Sequence, residues 1–483
     1  MNNIDEYQKV VSALKRRKKG ATAADVCAAT ALPLSSVREL LPKAADEFSG
    51  HLQVTQSGEI LYHFPFGFSS RYRGWKAGIK KTFFFFKKGL KTALVFLFKI
   101  WIMTMLIGYF IAFLAIALAS VVLSMVIQSK SSNDGRSSSF AMPNLFGLIW
   151  RIWFIQEVTK PRYGSRAVFK DKKKGKPLHK AIFSFIFGEE DPNKDWIERE
   201  NKAVIAYVQA NRGVISLAEY MAFSGENSID AEKSILSFCS NFGGSPEVTE
   251  EGTIVYRFDE LLLKADQKTL KELLPPIKRT KIFSENKKSM NTWFIVINAV
   301  NLIFGSYYFY NSLTTGFLTS EIQYQSASYL YAFTHILLEI FTQNPVMFIS
   351  IVLGLIPLAF SLFFWLIPVF RYLNEKKENE EIKLSNFKRI AFNKIWSSPK
   401  NINPEILVNF LPEAMPKNTS SACDRVIKDL NVISKAEIEQ NEDEKTIYSF
   451  NELEDEKVAI EKYRKGINQK ESELGSVVFD SKD

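Results

Sequence analysis

The sequence contains few of the residues that metal centres and disulfide frameworks require. It has three cysteines and four histidines among 483 residues. Cys27, Cys239 and Cys423 are odd in number and far apart, which excludes a disulfide scaffold and favours a reducing compartment. With so few thiolate and imidazole ligands, a multi-ligand zinc or iron–sulfur site is not expected. We therefore predict no metal and no cofactor.

Sequence motifs of common enzymes are also missing. The chain has no GxxxxGK[ST] or GxGxxG phosphate loop, no HExxH, no CxxC and no GxSxG elbow. We predict that the protein is not an enzyme and has no catalytic residue. Residues 1–20 are polar, end in a basic run and precede no apolar stretch, so no secretory signal is expected.

Charge is nearly absent from several long stretches. Residues 92–128, interrupted only by Lys99, and residues 293–310 and 345–370 are long enough to cross a bilayer, which requires about 20 apolar residues. In the first stretch we predict one span at about 101–127, and a tight hairpin that turns near Gly108 is the alternative. Residues 140–155 contain Arg151 and are only marginally apolar.

The distribution of lysine and arginine predicts the topology. Residues 311–344 contain neither, whereas residues 160–180 contain nine. By the positive-inside rule, 311–344 lies outside and the basic segments lie in the cytoplasm. An even number of crossings must then precede residue 160, so 140–155 is predicted to span; a helix lying in the interface is the alternative. A hairpin within 92–128 would give the same sidedness. We predict four spans in the cytoplasmic (inner) membrane, with both termini inside.

A basic and aromatic segment, 67–91, precedes the first span. Lysine pairs flank four phenylalanines at 83–86, a combination that suits an anionic headgroup layer. We predict that its cations bind the membrane surface, with no regulatory task required. These cations are Arg71, Arg73, Lys76, Lys80, Lys81, Lys87, Lys88 and Lys91.

Three other segments end in the same alternating pattern, Tyr-x-Phe, at 60–64, 254–258 and 446–450. Alternation with aromatic residues predicts a strand, and the preceding turn residues predict a β-hairpin. Short second helices are predicted at 23–29, 217–223 and 404–411. Third helices are predicted to begin near residues of the helix-capping type, Ser35, Asp230 and Asn418.

The order of three helices and a β-hairpin resembles the winged-helix fold, over about 5–66, 196–262 and 385–453. The fold class is therefore predicted to be mainly α and membrane-spanning, with three small α+β modules in the cytoplasm. The alternation of modules with paired spans, together with Phe-Gly-Glu-Glu-Asp-Pro-Asn at 187–193, is similar to an uncharacterised membrane protein family of bacteria and plastids. That second resemblance implies no activity.

Winged-helix domains usually bind DNA through the third helix and the wing, and phosphate binding requires cations. Residues 196–262 contain five basic and eleven acidic residues, a net charge of −6 that repels phosphate. The third predicted wing, 439–444, is also acidic. DNA is therefore not the expected partner. In the DNA-binding alternative, the contacts would come from Lys15, Arg16, Arg17, Arg38 and Lys43.

The predicted organisation alternates soluble and membrane parts. It consists of module 1 (1–66), the juxtamembrane segment (67–91), membrane hairpin 1 (92–158), a basic linker (159–195), module 2 (196–262), a linker (263–290), membrane hairpin 2 (291–372), module 3 (385–453) and a charged tail (454–483), which is expected to be a solvated helix or tail.

We predict a membrane scaffold or regulator that binds anionic lipids and protein partners, with self-association as a further expectation. The alternatives are a membrane-tethered DNA-binding regulator and a small transporter or channel component that uses Arg151.

The topology predicts that a reporter fused near residue 330 reads as outside the cytoplasm, because 311–344 carries no lysine or arginine. A fusion at residue 260 serves as the cytoplasmic control. Cytoplasmic activity of the reporter at residue 330 would contradict the four-span scheme.

Overall fold

The computed structural model describes residues 2–17, 20–71, 75–130, 176–265, 275–314, 328–403, 416, 419–440, 446–467 and 474–481. Over these residues the chain is mainly helical, with small antiparallel sheets. Several predictions fall outside the described residues: the second span at 140–155 with Arg151, most of the basic linker, and the helix at 404–411.

The helices follow one another along most of the described chain. They are α1 Asn2–Lys15, α2 Ala23–Thr30, α3 Leu34–Glu47, α4 Trp75–Met103, α5 Tyr109–Lys130, α6 Leu178–Phe187, α7 Trp196–Ala210, α8 Leu217–Ser224, α9 Ser228–Phe242, α10 Lys288–Thr314, α11 Tyr329–Glu339, α12 Pro345–Phe348, α13 Ile356–Ser397, α14 Thr419–Leu430 and α15 Asn451–Gly466. Two π-helical segments, Thr104–Gly108 and Ile349–Leu355, connect α4 to α5 and α12 to α13.

The strands form three small sheets. They are β1 His51–Thr55, β2 Ile60–His63, β3 Val214–Ser216, β4 Ser245–Val248, β5 Ile254–Arg257, β6 Glu437–Gln440, β7 Thr446–Ser449 and β8 Val477–Asp480. The strand orders are β2-β1-β8, β3-β5-β4 and β6-β7, and every paired strand runs antiparallel to its neighbour.

The chain divides into two compact units. The first unit consists of Met1–Lys88, Glu190–Ile282 and Leu373–Asp483, and the second of Gly89–Glu189 and Phe283–Tyr372. All three sheets belong to the first unit, and the most apolar helices belong to the second.

One strand arrangement occurs three times in the first unit. In each case the tyrosine of the Tyr-x-Phe strand pairs with its hairpin partner on one side and with a residue upstream of the hairpin on the other. The upstream residue is Ala21 for Tyr62, Ile215 for Tyr256 and Ile402 for Tyr448. The tyrosine of each Tyr-x-Phe pattern is therefore paired on both sides, with a strand on each side of β5 and with a single upstream bridge at β2 and β7.

The starts of the helices follow local capping chemistry. Thr22 and Asp25 form a capping box at α2, and Ser216 and Glu219 form the same box at α8. The third helices begin earlier than predicted: α3 starts at Leu34, and α9 is capped by Asn227, whose side chain accepts a hydrogen bond from the Asp230 amide. The Asn227 oxygen satisfies an amide that the helix leaves without an internal partner.

A single hydrophobic core connects the three parts of the first unit. It contains side chains from α1–α3, from α7–α9 and from α13–α14, with Leu41, Phe242 and Phe392 among the most deeply buried. The three cysteines form no disulfide and are buried, as expected of small core residues.

The C-terminal stretch after residue 454, expected to be a solvated helix or tail, begins with a helix that is buried on one face. Helix α15 buries Leu453, Ala459 and Ile460, and Ile460 packs on Val214 and Val255. Strand β8 pairs with β1. The apolar face of α15 is short and lies among charged residues, so the sequence does not indicate that it is buried. The residues that this face packs against lie over 200 positions earlier in the chain.

Among the described residues, three helical stretches are long and apolar enough to cross a membrane: Gly89–Val126, Lys288–Thr314 and Pro345–Ser397. The backbone is helical without a break from Trp75 to Lys130, so the alternative of a hairpin near Gly108 is wrong. Lys99, at the start of the apolar run, lies with its ammonium 4.3 Å from the centre of the Phe183 ring.

Polar side chains and glycines bring the helices of the second unit together. Asn301 on α10 donates a 2.8 Å hydrogen bond to the carbonyl of Leu106, within the first π-helical segment, and Asn298 donates to the carbonyl of Ser361 at 3.0 Å. A π-segment leaves carbonyls without regular partners, which such amides satisfy. A Cβ at Gly305 would lie 2.9 Å from the backbone nitrogen of Leu358, so only glycine permits this approach.

Candidate functional site

The guanidinium of Arg389, on α13, is 1% exposed and is among the most deeply buried charged groups described in the first unit. Its Nε donates to the carbonyl of Phe223 at 2.7 Å, and one Nη donates to the carbonyl of Ser224 at 2.5 Å. These carbonyls end helix α8, where the helix dipole is negative. The same Nη lies 3.1 Å from Glu200 on α7. Three helices therefore meet at one cation.

Burial lowers the pKa of Arg389, and the carboxylate of Glu200 opposes this shift. Burial likewise raises the pKa of Glu200, against the effect of Arg389. Each charge compensates the other, and the removal of either leaves the remaining charge in a poorly solvated place.

Gly225 permits the close approach of α8 to α13. Its φ of +65° is favourable only for residues without a Cβ, and a Cβ would lie 2.7 Å from the carbonyl oxygen of Ser385. Ser385 in turn accepts a hydrogen bond of 2.7 Å from Arg389.

Three cationic side chains lie close to the indole ring of Trp196. Arg389, Lys278 and Arg199 lie 4.6, 5.0 and 5.3 Å from the ring centre, distances at which cation–π attraction operates. The indole nitrogen donates to Glu200 at 3.1 Å. We name Arg389, Glu200, Trp196 and Lys278 the arginine junction.

The arginine junction also fastens the linker that follows residue 275. Asn386 accepts from the amide of Lys278 at 2.9 Å and donates to its carbonyl at 2.8 Å. About two helical turns earlier on α13, Asn379 makes the same pair of bonds with the backbone of Lys281, at 2.7 and 2.8 Å. The backbone of the linker is therefore hydrogen-bonded to asparagine side chains at two positions along α13.

A second buried arginine connects α15 to α8. Arg464 lies 2.7 Å from Glu219, which is 2% exposed, and donates to the carbonyl of Val214 at 2.9 Å. Close to this pair, burial raises the pKa of Glu456 to about 7, and the charge of Glu219 acts in the same direction while a hydrogen bond from Ser216 opposes it.

In module 1, Arg17 forms the corresponding pair with Asp25 at 2.5 Å, and Asp25 is 1% exposed. Asp25 and Glu219 occupy the same capping-box position of their helices. Each carboxylate is neutralised by an arginine that lies outside its own helix. Asp25 also accepts from the amide of Ala265 at 2.9 Å.

Three of the five residues of the DNA-binding alternative are paired with carboxylates. Arg17 pairs with Asp25. Arg38 lies 3.3 Å from Glu260, and Lys43 lies 2.5 Å from Glu39. Lys15 lies 5.8 Å from the centre of the Phe68 ring, and Arg16 is exposed.

The predicted membrane-surface cations follow one another along a helix. Arg71 is exposed just before α4, and Lys91 is exposed on it. Lys76, Lys80, Lys81, Lys87 and Lys88 lie on the backbone of α4. Arg73, and the side chains of those five lysines, are outside the described part of the chain.

The segment 187–193 makes contacts that were not predicted. In the second unit, Glu189 accepts from Lys176 at 2.7 Å and from the amide of Glu285 at 3.1 Å, and it also bonds Ser184. In the first unit, Asn193 exchanges hydrogen bonds of 2.7 and 2.9 Å with the backbone of Arg279. The motif therefore binds the backbone of linker residues. In the sequence, the one indication of this role was the high density of acidic and turn residues in the motif.

The described residues contain no group of three or more His, Cys, Asp or Glu side chains arranged to hold a metal. Burial raises the pKa of the Cys27 thiol to about 12 and that of Cys239 to about 11, so these thiols remain protonated and are poor nucleophiles. The buried polar groups thus join chain segments, and their geometry suits binding and rigidity.

Over its described residues the chain is mainly helical, and three of the helices there are apolar enough to span a membrane. Over 410 residues it is 25% identical to an uncharacterised chloroplastic protein of Arabidopsis thaliana, and the match covers 82% of this chain and 73% of that protein. No family model matches the chain, and no solved structure matches it. The apolar helices and the chloroplastic relative together indicate a membrane protein.

We expect Arg389→Gln to lower the stability of the first unit by about 3–5 kcal/mol, because it leaves Glu200 buried without its partner. The measurement is denaturant unfolding of the full chain in detergent. Lys43→Gln, which breaks an exposed pair, is the matched control and should cost less than about 0.5 kcal/mol. Equal effects of the two substitutions would contradict the role of the arginine junction.

We expect the docking of α15 to weaken as pH rises through about 7. The folded-state pKa of Glu456 exceeds the unfolded value of about 4.3, so the stabilisation by its proton is complete below that value and is lost above the folded pKa. Hydrogen exchange of α15, corrected for intrinsic rates, should accelerate about ten-fold between pH 6 and 8. Glu456→Gln should abolish this change, whereas the exposed Glu461→Gln should retain it.

Proposed function

We propose that this protein is a non-enzymatic integral membrane scaffold or regulator that presents three winged-helix-like modules to protein partners in the cytoplasm. The observation that carries the proposal is the repeated strand arrangement, in which Tyr62, Tyr256 and Tyr448 each pair with a hairpin partner and with a residue upstream of the hairpin. A short strand before the second helix, followed by a hairpin, is the element order of a winged helix. Each module supplies a small surface of helices and a hairpin for binding.

The shared core supports protein binding by one rigid body. Side chains from 10–62, 203–261 and 387–453 belong to the same hydrophobic cluster, and the arginine junction adds buried polar contacts between the second and third modules. A body of this kind holds its exposed surfaces at set distances, which is what a scaffold requires.

The same core supports an even number of crossings on each side of module 2. Residues in one core lie on one side of a membrane, so the chain must return after 89–189 and again after 283–372. Among the described residues, the second interval contains two candidate spans and the first contains one, Gly89–Val126. We therefore retain 140–155 as the second of four spans, with both termini in the cytoplasm. The predicted attachment of the 67–91 cations to anionic lipids remains part of this proposal.

Charge pairing argues for protein partners over DNA. Arg17, Arg38 and Lys43 are each paired with a carboxylate. The turn of the second hairpin contains Glu250 and Glu251, both paired with Lys462. DNA phosphates would have to compete with these carboxylates for the same cations.

The purified full chain in detergent, tested with labelled duplex DNA across a salt series, separates the two functions. We expect only weak, nonspecific binding. Protein crosslinking in cells should instead capture specific partners. The test variant for DNA is Lys15→Gln with Arg16→Gln, because neither cation forms an ion pair with a carboxylate of the described residues.

Tight DNA binding that falls steeply with salt, survives competitor DNA and is lost in the Lys15 and Arg16 variant would overturn the scaffold in favour of the tethered regulator. The Lys43→Gln variant controls for a general loss of positive charge, since Lys43 is already paired with Glu39.

A further inference from the structure

The last strand of the chain occupies the edge of the first sheet. Strand β8 pairs with β1 in antiparallel register, with Gln53 opposite Asp480 and Val54 opposite Phe479. Beyond the strand, the amide of Ser57 donates to the carbonyl of Leu474 at 3.2 Å. Main-chain bonds of this kind let a sheet edge accept an extended segment whatever chain it comes from.

Side chains make the edge selective for this segment. Gln53 donates to the Asp480 carboxylate at 2.7 Å, and the amide of Leu52 donates to the hydroxyl of Ser481 at 2.9 Å. Gly475 has a φ of +68°, and a Cβ there would lie 2.6 Å from the side-chain oxygen of Gln56. A segment that fits therefore needs glycine, then an extended apolar stretch, then Asp-Ser.

The seated strand is held mainly by its backbone. Val477, Val478 and Phe479 are 47%, 68% and 59% exposed, so little apolar area is lost from water when β8 docks. Val478 is the extra residue of a bulge and has no Cα partner in β1. A strand bound in this way can leave the edge without opening the core of the first unit.

We propose that the edge of β1 is a strand-docking site at which β8 of one copy of this chain exchanges with β8 of a second copy. A second copy carries the glycine, the apolar residues and the Asp-Ser pair by necessity, so every contact made within the chain is reproduced between chains. Exchange between chains must compete with the high effective concentration of the tethered strand. The copies are held in one membrane, which raises their local concentration; this part of the argument rests on the proposed function.

The register allows a direct test with two full-length chains that carry different tags. The acceptor chain carries Gln53→Cys and the donor chain Asp480→Cys, and both are co-expressed. Isolated membranes are then oxidised. Because Gln53 and Asp480 are Cα partners, a disulfide joins the two tags only if the donor strand lies on the acceptor edge. We expect a disulfide-linked dimer that contains both tags.

The matched control is a donor with Val478→Cys, on the same strand but without a partner in β1, and it should give a several-fold lower yield. Adding Gly475→Val to the Asp480→Cys donor should abolish the product. A single chain with both Gln53→Cys and Asp480→Cys reports whether the pair forms a disulfide within one chain.

The proposal is overturned if the double variant forms its internal disulfide while the mixed chains give no more dimer than the Val478→Cys control. It is also overturned if the double variant fails to form a disulfide, or if the acceptor is trapped on a different protein. If the tagged chains form the dimer and crosslinking in cells captures no other protein, strand exchange is supported and the recruitment of partners is overturned. If crosslinking captures other proteins and the tagged chains form no dimer, the recruitment of partners is supported and strand exchange is overturned.

Discussion

The guanidinium of Arg389 is withdrawn from water at the point where α7, α8 and α13 meet, and its compensation comes from two carbonyls at the end of α8, from Glu200 and from the Trp196 ring. A buried charge is tolerated only when all of these partners are present. The positions of the three helices are therefore coupled. Asn386, which binds the linker, and Ser385, which Gly225 approaches, lie on α13 within about one helical turn of Arg389.

The use of an arginine to bind the end of a helix recurs in the second unit. Arg371 donates to the carbonyls of Phe185 and Ile186 at the end of α6 and to the carbonyl of Phe283, whose ring lies 4.0 Å from the guanidinium carbon. A helix end presents several unsatisfied carbonyls and a negative dipole, and a planar cation with five donors matches both. Arg464 binds a strand carbonyl and a capping carboxylate in a similar way.

Some parts of the fold were readable because their signals are local. The Tyr-x-Phe strands follow from alternation over five residues, the short helices α2 and α8 from their place after Gly20 and Gly213, and the helical stretch Gly89–Val126 from an apolar run. The burial of α15 and the pairing of strand β8 were missed because their charged or polar neighbours are typical of a solvated segment. Their apolar residues become meaningful only beside Val214, Val255 and β1.

The sequence by itself determined the apolar helices, the three hairpin segments, and the scarcity of metal ligands and catalytic motifs, because each depends on composition or on spacing within a few residues. Tertiary structure alone decided which charges are paired: Arg17 with Asp25, Arg389 with Glu200, and Arg464 with Glu219. Ion pairing depends on the three-dimensional approach of residues that lie up to 245 positions apart. A basic residue in a sequence therefore predicts a charge, and the fold determines whether that charge is free to bind a partner.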